Sequence, residues 1–434
     1  MRKIPEFVNT KESATKVKRL SDEVLDTTED FGVKLSGVSR RDFMRISSRY
    51  GMTATYAAAA AMGGLFSADA LAQTANTKYE KKFAKKAKHV LKQGSVFRWE
   101  HTKVQRVGIW EFCQDLEERT DGAIRVEILP GNSVCAEPVC IQKSMQGILD
   151  IGTASTQNAS GVVPWLNALD FPYMFQSAGQ IYNFFFNPKS EPLFRKVYRE
   201  KYNMEFLWTL GEMRQLFMGM KWKDKPPITN IGMLAGTKNR VTNTQLGRIA
   251  MQLMKLNPVP VAWVETLDAM KSGLIDGMET WTSACTAFNM APVVSQYVGL
   301  KFIPGTEHTA IRTQTLDKIG SDLADEVMEA AFQAQARVMY NNEAGLVMVS
   351  GETPNPAPDS IFGKTGTVMN FFTDEALKEA EEIANPTRPE YNTWHEKLNK
   401  LGGYDVYKEM KATAREYPKD ALAINVEPRR WWKS

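Results

Sequence analysis

Residues 236 to 281 read GTKNRVTNTQLGRIAMQLMKLNPVPVAWVETLDAMKSGLIDGMETW, a stretch that alternates strand and helix patterns. The apolar positions of its first helix recur at helical spacing, with Thr242 or Asn243 as the predicted N-cap. We predict a strand at 259–263, a short helix at 266–272 and a strand at 274–281. This order is typical of βαβ units and a largely parallel sheet.

The same alternation occurs nearer the start of the chain. We predict a strand at 95–101, an amphipathic helix starting near Ile109, a strand at 123–129, a helix at 137–148 and a strand at 150–155. A long helix is predicted at 321–342. Ligands of parallel sheets bind beyond the carboxyl ends of the strands. Those ends carry His101 and Ser155 in this part of the chain.

Composition restricts the classes of function. The chain has 434 residues and a net charge of only +4. That length suits more than one domain, since single cores stop growing at about 250–300 residues. Basic residues are spread along the chain and interleaved with acidic ones, which argues against nucleic-acid binding. No zinc-protease, serine-hydrolase or phosphate-loop motif occurs in the sequence, so no enzyme class is indicated.

The segment 38–72 has the pattern of an export signal. Paired Arg40 and Arg41 precede an alanine-rich apolar run that ends in Ala70-Leu71-Ala72. This predicts a twin-arginine-type signal in residues 1–72, with cleavage after Ala72 and a periplasmic mature protein. Two alternatives stay open. The run could form a buried helix of a cytosolic domain, or it could remain uncleaved as an anchor.

Four cysteines are present, two of them in the short stretch CAEPVC. Cys135 and Cys140 could close a small disulfide loop in an oxidising compartment, which we favour over two free thiols. Zinc is a poor fit, because no second pair at metal spacing accompanies them.

Two arginines are candidate ligand contacts. Arg240 ends a predicted strand just before a helix N-terminus, where unpaired N–H groups and a guanidinium would together suit a carboxylate. Arg214 lies in an apolar run and needs a buried partner. Taken alone, each arginine is more often one half of a surface or structural ion pair, and spacing does not decide between these roles.

The chain resembles the solute-binding proteins of tripartite ATP-independent periplasmic (TRAP) transporters, of the DctP type. The matching stretches are 123–129, 169–175 (LDFPYMF), 211–219, 236–241, 257–260 (NPVP) and 273–277 (GLIDG). The resemblance implies a two-lobe α/β periplasmic binding protein fold, in which each lobe has a mainly parallel sheet flanked by helices. Connecting strands and a long helix join the lobes. It implies lobe I at 93–212 plus 305–345. Lobe II then comprises 213–304 plus 346–434, including a C-terminal helical extension.

The resemblance also implies a site. Arg240 matches the family's carboxylate-binding arginine, and Arg214 matches a second arginine near the ligand. Thr280 stands where the family often has Asn, which argues against a sugar-acid or simple dicarboxylate preference. Glu279 is a candidate contact to a ligand hydroxyl or to a cation such as Ca²⁺ or Na⁺. Four further residues are candidates either for the pocket or for the core or structural framework: Trp263, Trp281, Phe171 and His101.

The predicted function is binding without turnover. The protein would capture a small organic anion, close its lobes and deliver the anion to TRAP membrane permease subunits, with no resident cofactor. Two rival functions stay open, an exported cofactor-containing enzyme and a ligand sensor for a signalling partner. The sequence does not decide between a monomer and a dimer.

Overall fold

The structure is a computed structural model that describes residues 87–433 except Lys103 and Arg106. The predicted signal region lies outside these residues. Within the described part of the chain, no helix is long and apolar enough to cross a membrane.

Nine strands form one sheet within the described residues. The strands are β1 His89–Gly94, β2 Ile124–Leu129, β3 Ile151–Ser155, β4 Met204–Gly219, β5 Lys238–Val241, β6 Asn257–Pro260, β7 Gly277–Thr280, β8 Val294–Arg312 and β9 Val368–Phe371.

Fifteen α-helices accompany the sheet in the described residues. They are α1 Trp99–Thr102, α2 Ile109–Arg119, α3 Glu137–Met145, α4 Thr156–Ala159, α5 Ala178–Phe186, α6 Lys196–Tyr202, α7 Gln245–Leu253, α8 Thr266–Ser272, α9 Thr282–Ala287, α10 Thr313–Ile319, α11 Ser321–Gly345, α12 Ile361–Thr365, α13 Asp374–Ile383, α14 Asn392–Gly402 and α15 Val406–Ala414.

The strand order is β2-β1-β3-β8-β4-β7-β5-β6, with β9 paired to β8. Strands β1, β2 and β3 are mutually parallel and define lobe I. Strands β5, β6 and β7 are likewise parallel and define lobe II. The long antiparallel strands β4 and β8 belong to both halves and connect them. The predicted α/β class with parallel sheets is therefore present, with an antiparallel pair at its centre.

The pairing of β4 with β8 is interrupted between the lobes. Arg214 pairs with Ile303, whereas Leu216 pairs with Val298, so several residues of β8 are left out of the ladder. Lys301 in that segment has a positive φ of 52°, and its N–H donates to Gln215 Oε1 at 2.9 Å. Such irregularities re-aim side chains and end local pairing. This one places Arg214 at the junction of the two lobes.

Apolar side chains form separate cores on the two sides of the junction. The core of lobe I includes α2 and the buried face of α11, with Phe112, Leu116 and Phe332 among its members. Lobe II has its own clusters, one around Met251 and Phe302. Separate cores are what two α/β lobes require, because each sheet must bury its own faces.

The C-terminal helices divide between the lobes, which differs from the predicted assignment of 346–434 to lobe II. Ala380 of α13 packs in lobe II. In contrast, Leu398 of α14, Met410 of α15 and Trp431 pack in lobe I clusters. The Arg195 guanidinium lies 3.9 Å from the Trp431 ring, which fixes the chain end on lobe I. The C-terminal extension thus packs against both lobes.

Three local predictions were wrong. The first strand is β1, and residues 95–98 instead form a turn in which Phe97 N donates to Ser95 Oγ at 3.0 Å. The N-cap of α7 is Thr244, whose side chain accepts from Gly247 N. Strand β6 ends at Pro260, and Trp263 begins a 3₁₀ turn. Strand β6 lies at the end of the sheet order, where prolines are tolerated.

Candidate functional site

A small cavity lies where lobe I and lobe II face each other. Lobe II contributes Arg240, Trp263 and Thr280, which follow or end its parallel strands. A more open space adjoins this cavity, shares Arg240 and Trp263 with it and reaches solvent. The position agrees with the general rule for α/β sheets, which bind ligands beyond the carboxyl ends of strands.

Arg240 is held from several directions. It lies in β5 between Val259 of β6 and Met278 of β7, and it is only 2% exposed. Its Nε donates to Val261 O at 3.2 Å, and its Nη1 donates to Glu279 O at 3.1 Å. Burial lowers the pKa of Arg240 to about 10, so the guanidinium stays charged at neutral pH. These two hydrogen bonds to backbone oxygens use Nε and Nη1 of the guanidinium group. Arg240 also lines the cavity.

Arg214 and Glu279 form a buried ion pair. Arg214 Nη1 lies 2.9 Å from Glu279 Oε1, and both side chains are almost inaccessible to solvent. Glu279 Oε2 lies 3.9 Å from Arg240 Nη1, so one carboxylate serves two guanidinium groups. The pairing of β4 with β7 sets this arrangement, since Leu216 lies opposite Glu279. An anion entering the cavity would meet two guanidinium groups that have a single carboxylate within salt-bridge distance.

Two tryptophans cover these guanidinium groups. The Arg214 Cζ lies 4.0 Å from the Trp281 ring centroid, and the Arg240 Cζ lies 5.2 Å from that of Trp263. Such stacking is favourable for a desolvated cation. A Cβ at Gly305 would lie 1.5 Å from Trp281 Nε1, so only glycine leaves space for that indole. Trp263 and Trp281 both line the cavity, as does Thr280.

Lobe I contributes residues that the sequence reasoning missed. Glu137, Glu307 and Gln105 line the same cavity and are buried. Glu137 begins α3, and its Oε1 accepts from Ser155 N at 2.7 Å. Glu307 lies in β8, opposite Ser155 of β3. The only local signal was an isolated acid in the stretch GTEHTAIR, within a strand that is otherwise almost wholly buried.

Ionisation differs among the buried acids. Burial raises the pKa of Glu307 well above its ordinary range; the nearby Glu137 adds to the rise, and Arg214 opposes it. Burial likewise raises the pKa of Asp170 to about 8, an effect that the Arg214 charge and a hydrogen bond with Thr244 oppose. Asp170 is therefore largely protonated at neutral pH, and burial favours the neutral form of Glu307 as well.

The structure joins Cys135 and Cys140 in a disulfide. The loop that it closes contains Glu137, so the cross-link restrains the start of α3 beside the cavity. The other two cysteines, Cys113 and Cys285, are buried free thiols.

Three predicted site residues lie elsewhere in the structure. Phe171 packs in the lobe I core, stacked on His395 at 4.7 Å between ring centroids. His101 is in α1, and its ring lies 4.0 Å from that of Phe288, a cavity residue. The Ser155 side chain caps α4, and its backbone orients Glu137. His101 and Ser155 thus contact residues that line the cavity, Phe288 and Glu137, without lining it themselves. Phe171 is a core residue.

Glu279 was also predicted as a candidate cation contact. Its carboxylate faces two guanidinium groups, which would compete with any cation. Among the described residues, no group of three or more His, Cys, Asp or Glu side chains could hold a metal ion.

Two lobes joined by long strands, with a charged cavity between them, define a two-lobe periplasmic binding protein. The description "Bacterial extracellular solute-binding protein, family 7" (DctP) matches residues 95–346. The chain belongs to this family, as the sequence predicted. The family is described as solute-binding and extracellular.

Curated relatives are distant. The chain is 24% identical over 222 residues to the uncharacterized protein YiiZ of Salmonella typhimurium, covering 51% of this chain and 66% of that protein. It is 21% identical over 182 residues to the 2,3-diketo-L-gulonate-binding periplasmic protein YiaO of Escherichia coli, covering 41% of this chain and 52% of the relative. The matched part thus spans about half to two thirds of these relatives.

Solved structures share the fold. A TRAP periplasmic solute-binding protein of Chromohalobacter salexigens with bound D-glucuronate superposes with a TM-score of 0.63 at 19% identity, covering 74% of this chain and 99% of that one. One from Ralstonia eutropha with bound (S)-2-acetolactate gives a TM-score of 0.63 at 18% identity, covering 76% and 99% respectively. The similarity establishes the two-lobe fold of this chain.

Proposed function

We propose that this protein is the extracytoplasmic solute-binding subunit of a TRAP transporter and captures a small organic acid between its lobes. Arg240 binds the ligand carboxylate. The closed, loaded protein then delivers the acid to membrane permease subunits. Capture proceeds without chemical turnover, which the description of the family as solute-binding supports.

One observation carries the proposal most strongly. Two buried guanidinium groups share the single carboxylate of Glu279 at the edge of a cavity between lobes. A buried guanidinium group forms strong charge-assisted hydrogen bonds with a carboxylate, and such bonds are strongest away from water. Ligands lacking a carboxylate would leave the charge unpaired, so the same arrangement provides selectivity.

The adjoining space and the similar proteins support the same ligand class. The space that opens from the cavity measures about 320 Å³, which suits an acid of modest size. Structurally similar TRAP proteins were solved with D-glucuronate, succinate and D-erythronate, each of which carries a carboxylate.

Calorimetric titration of Arg240→Ala tests the proposal. The probes are pyruvate, lactate, succinate and glucuronate, and the wild-type protein should bind at least one of them. The substitution should weaken that binding at least about tenfold, or 1.4 kcal/mol, because the main carboxylate partner is lost. Arg248→Ala, an arginine of the adjacent helix α7, is the matched control and should leave the affinity unchanged. Unchanged affinity in Arg240→Ala would remove this residue from the site.

A further inference from the structure

The C-terminal extension lies beyond the residues that match the family, 95–346, and it joins the two lobes. Its helix α13 packs in lobe II, whereas α15 packs in lobe I. Arg415 directly follows α15, and its Nη2 lies 4.0 Å from Glu381 Oε1 of α13. Gln176, just before the lobe I helix α5, donates from Nε2 to Glu381 Oε2 at 3.4 Å. Glu381 of lobe II is therefore held by two side chains on lobe I.

Arg415 also binds a lobe I segment that reaches into lobe II. Tyr173 packs in the lobe II cluster around Phe302, while its neighbour Met174 packs in lobe I. The Tyr173 N–H donates to Phe302 O at 2.9 Å. Arg415 Nη2 donates to Tyr173 O at 2.7 Å, and its Nη1 donates to Gln180 Oε1 of α5 at 3.0 Å. One guanidinium group thus contacts both lobes and the segment that crosses between them.

The backbone at this crossing has an uncommon conformation in both of its strands. Tyr173 has a φ of 54°, and Lys301, which precedes Phe302 in β8, has a φ of 52°. Left-handed backbone is unfavourable for residues other than glycine and persists where the surrounding contacts impose it. Hinges between domains consist of a few such positions, which absorb large changes of φ and ψ. Arg415 therefore acts on the point where the lobes would turn.

These contacts occur in an arrangement in which the lobes touch beside the cavity. The Thr242 hydroxyl of lobe II donates to Gln157 Oε1 of lobe I at 2.9 Å. A rotation that separates these two side chains also moves α13 relative to α15, because the two helices pack on different lobes. The Arg415 contacts are therefore specific to the arrangement in which the lobes meet.

We propose that Arg415 is a positioning residue, whose contacts with Glu381 and the Tyr173 carbonyl hold the lobes in the ligand-binding arrangement and slow release of the bound acid. We call these three residues the hinge clamp. Arg415 lies outside the cavity lining, so it acts through the position of the lobes. The inference rests on the proposed capture between lobes. Contacts that stabilise one of two arrangements raise the affinity for a ligand that binds it.

Distances between the lobes test the hinge clamp in the ligand-free protein. Spin labels at Lys318→Cys in α10 and Lys271→Cys in α8 report on lobe I and lobe II, and both positions are exposed. Arg415→Ala should shift the distance distribution, measured by pulsed electron spin resonance, toward longer values. Identical distributions in this variant and the wild type would overturn the proposal.

Release kinetics test the consequence for binding. Trp263 and Trp281 line the cavity, so their fluorescence reports release in stopped flow. The probe is whichever of pyruvate, lactate, succinate and glucuronate the wild-type protein binds most tightly. Arg415→Ala should speed its release by about tenfold and change association less. Arg415→Lys keeps the charge without the forked donors and should restore only part of the wild-type rate. A wild-type release rate in Arg415→Ala would contradict the proposal.

Two further variants separate the hinge clamp from a general loss of stability. Glu381→Gln should also speed release, but it should add little in the Arg415→Ala background, because both changes break one contact. Arg388→Ala removes an exposed arginine of the same extension, paired with Glu390, and should match the wild type in distances and release. Fully additive effects of the Arg415 and Glu381 changes would show that the two residues act separately and would overturn the clamp.

The outcomes distinguish this inference from the function on which it rests. If none of the four acids binds, the proposed function fails, and the spin-label distances still decide whether Arg415 holds the lobes together. If an acid binds through Arg240 but Arg415→Ala changes neither the distances nor the release rate, only the hinge clamp fails.

Discussion

The two walls of the cavity present opposite chemistry. Lobe II contributes the fixed cation Arg240, stacked on Trp263 and held by backbone oxygens. Lobe I contributes Glu137 and Glu307, of which Glu307 has its pKa raised by burial, together with the amide of Gln105. The guanidinium group on one wall suits an anion, whereas the opposite wall presents acidic and amide groups. A ligand that satisfies both walls has two different ends, so the cavity also fixes its orientation.

The largest effect is expected on the lobe II side, for Glu279→Gln. This change removes the only carboxylate within 4.0 Å of the two guanidinium groups in the described residues, and breaking a buried pair costs about 3–5 kcal/mol. The free energy of unfolding, measured in urea, should fall by that amount. Carboxylate affinity should rise, because less positive charge is compensated.

The exposed acid Glu265 offers a matched control in the same lobe. Glu265→Gln should change neither stability nor affinity measurably, as is usual for surface positions. Equal stability of Glu279→Gln and the wild type would show that the ion pair does not anchor the cationic wall.

The sequence predicts those features of the two cavity walls that depend on residues close together in the chain. It does not predict the features that depend on contacts between distant segments. Helices α2 and α8 and the family resemblance followed from local patterns, and Arg240 from its place between a strand and a helix. The lobe I wall depends on pairing between distant segments, since Ser155 lies opposite Glu307 in the sheet and also donates to Glu137. Local patterns carry no information on such pairing, and acids are ordinarily expected at the surface.

The misplaced first strand has a different physical cause. The sequence HVLKQG of β1 mixes polar and apolar residues without clear alternation, whereas 95–101 is richer in aromatic and branched residues. Its pairing with β2 and β3 on both sides overrides that weak propensity, as is common in sheets. His101 was consequently expected at a strand end and lies in α1 instead.

An intermediate effect is expected on the lobe I side, from removal of the disulfide. The double change Cys135→Ser and Cys140→Ser should lower the free energy of unfolding by about 2 kcal/mol, the value for a very short loop. Because the loop contains Glu137, which lines the cavity, the affinity for the acids that the protein binds should also fall severalfold. Calorimetry and urea unfolding measure the two quantities.

A chemical reductant gives the control for this lobe I change. It should reproduce both effects in the wild-type protein and have none in the double variant. A loss of stability with unchanged affinity would mean that the loop supports the fold and not the acidic wall.

The smallest effect is expected for Trp263→Ala, which returns to the cationic wall. The ring lies 5.2 Å from the Arg240 Cζ and is partly exposed, so its contribution is that of a moderately desolvated cation–π contact. Removing it should weaken carboxylate binding by about 1 kcal/mol, roughly fivefold. Trp263→Phe keeps an aromatic face and should lose less. Because the ring acts through the guanidinium, lactate, propionate and succinate should weaken by the same factor. A loss confined to one of these acids would instead assign Trp263 a direct contact with that ligand and contradict an effect through the guanidinium group.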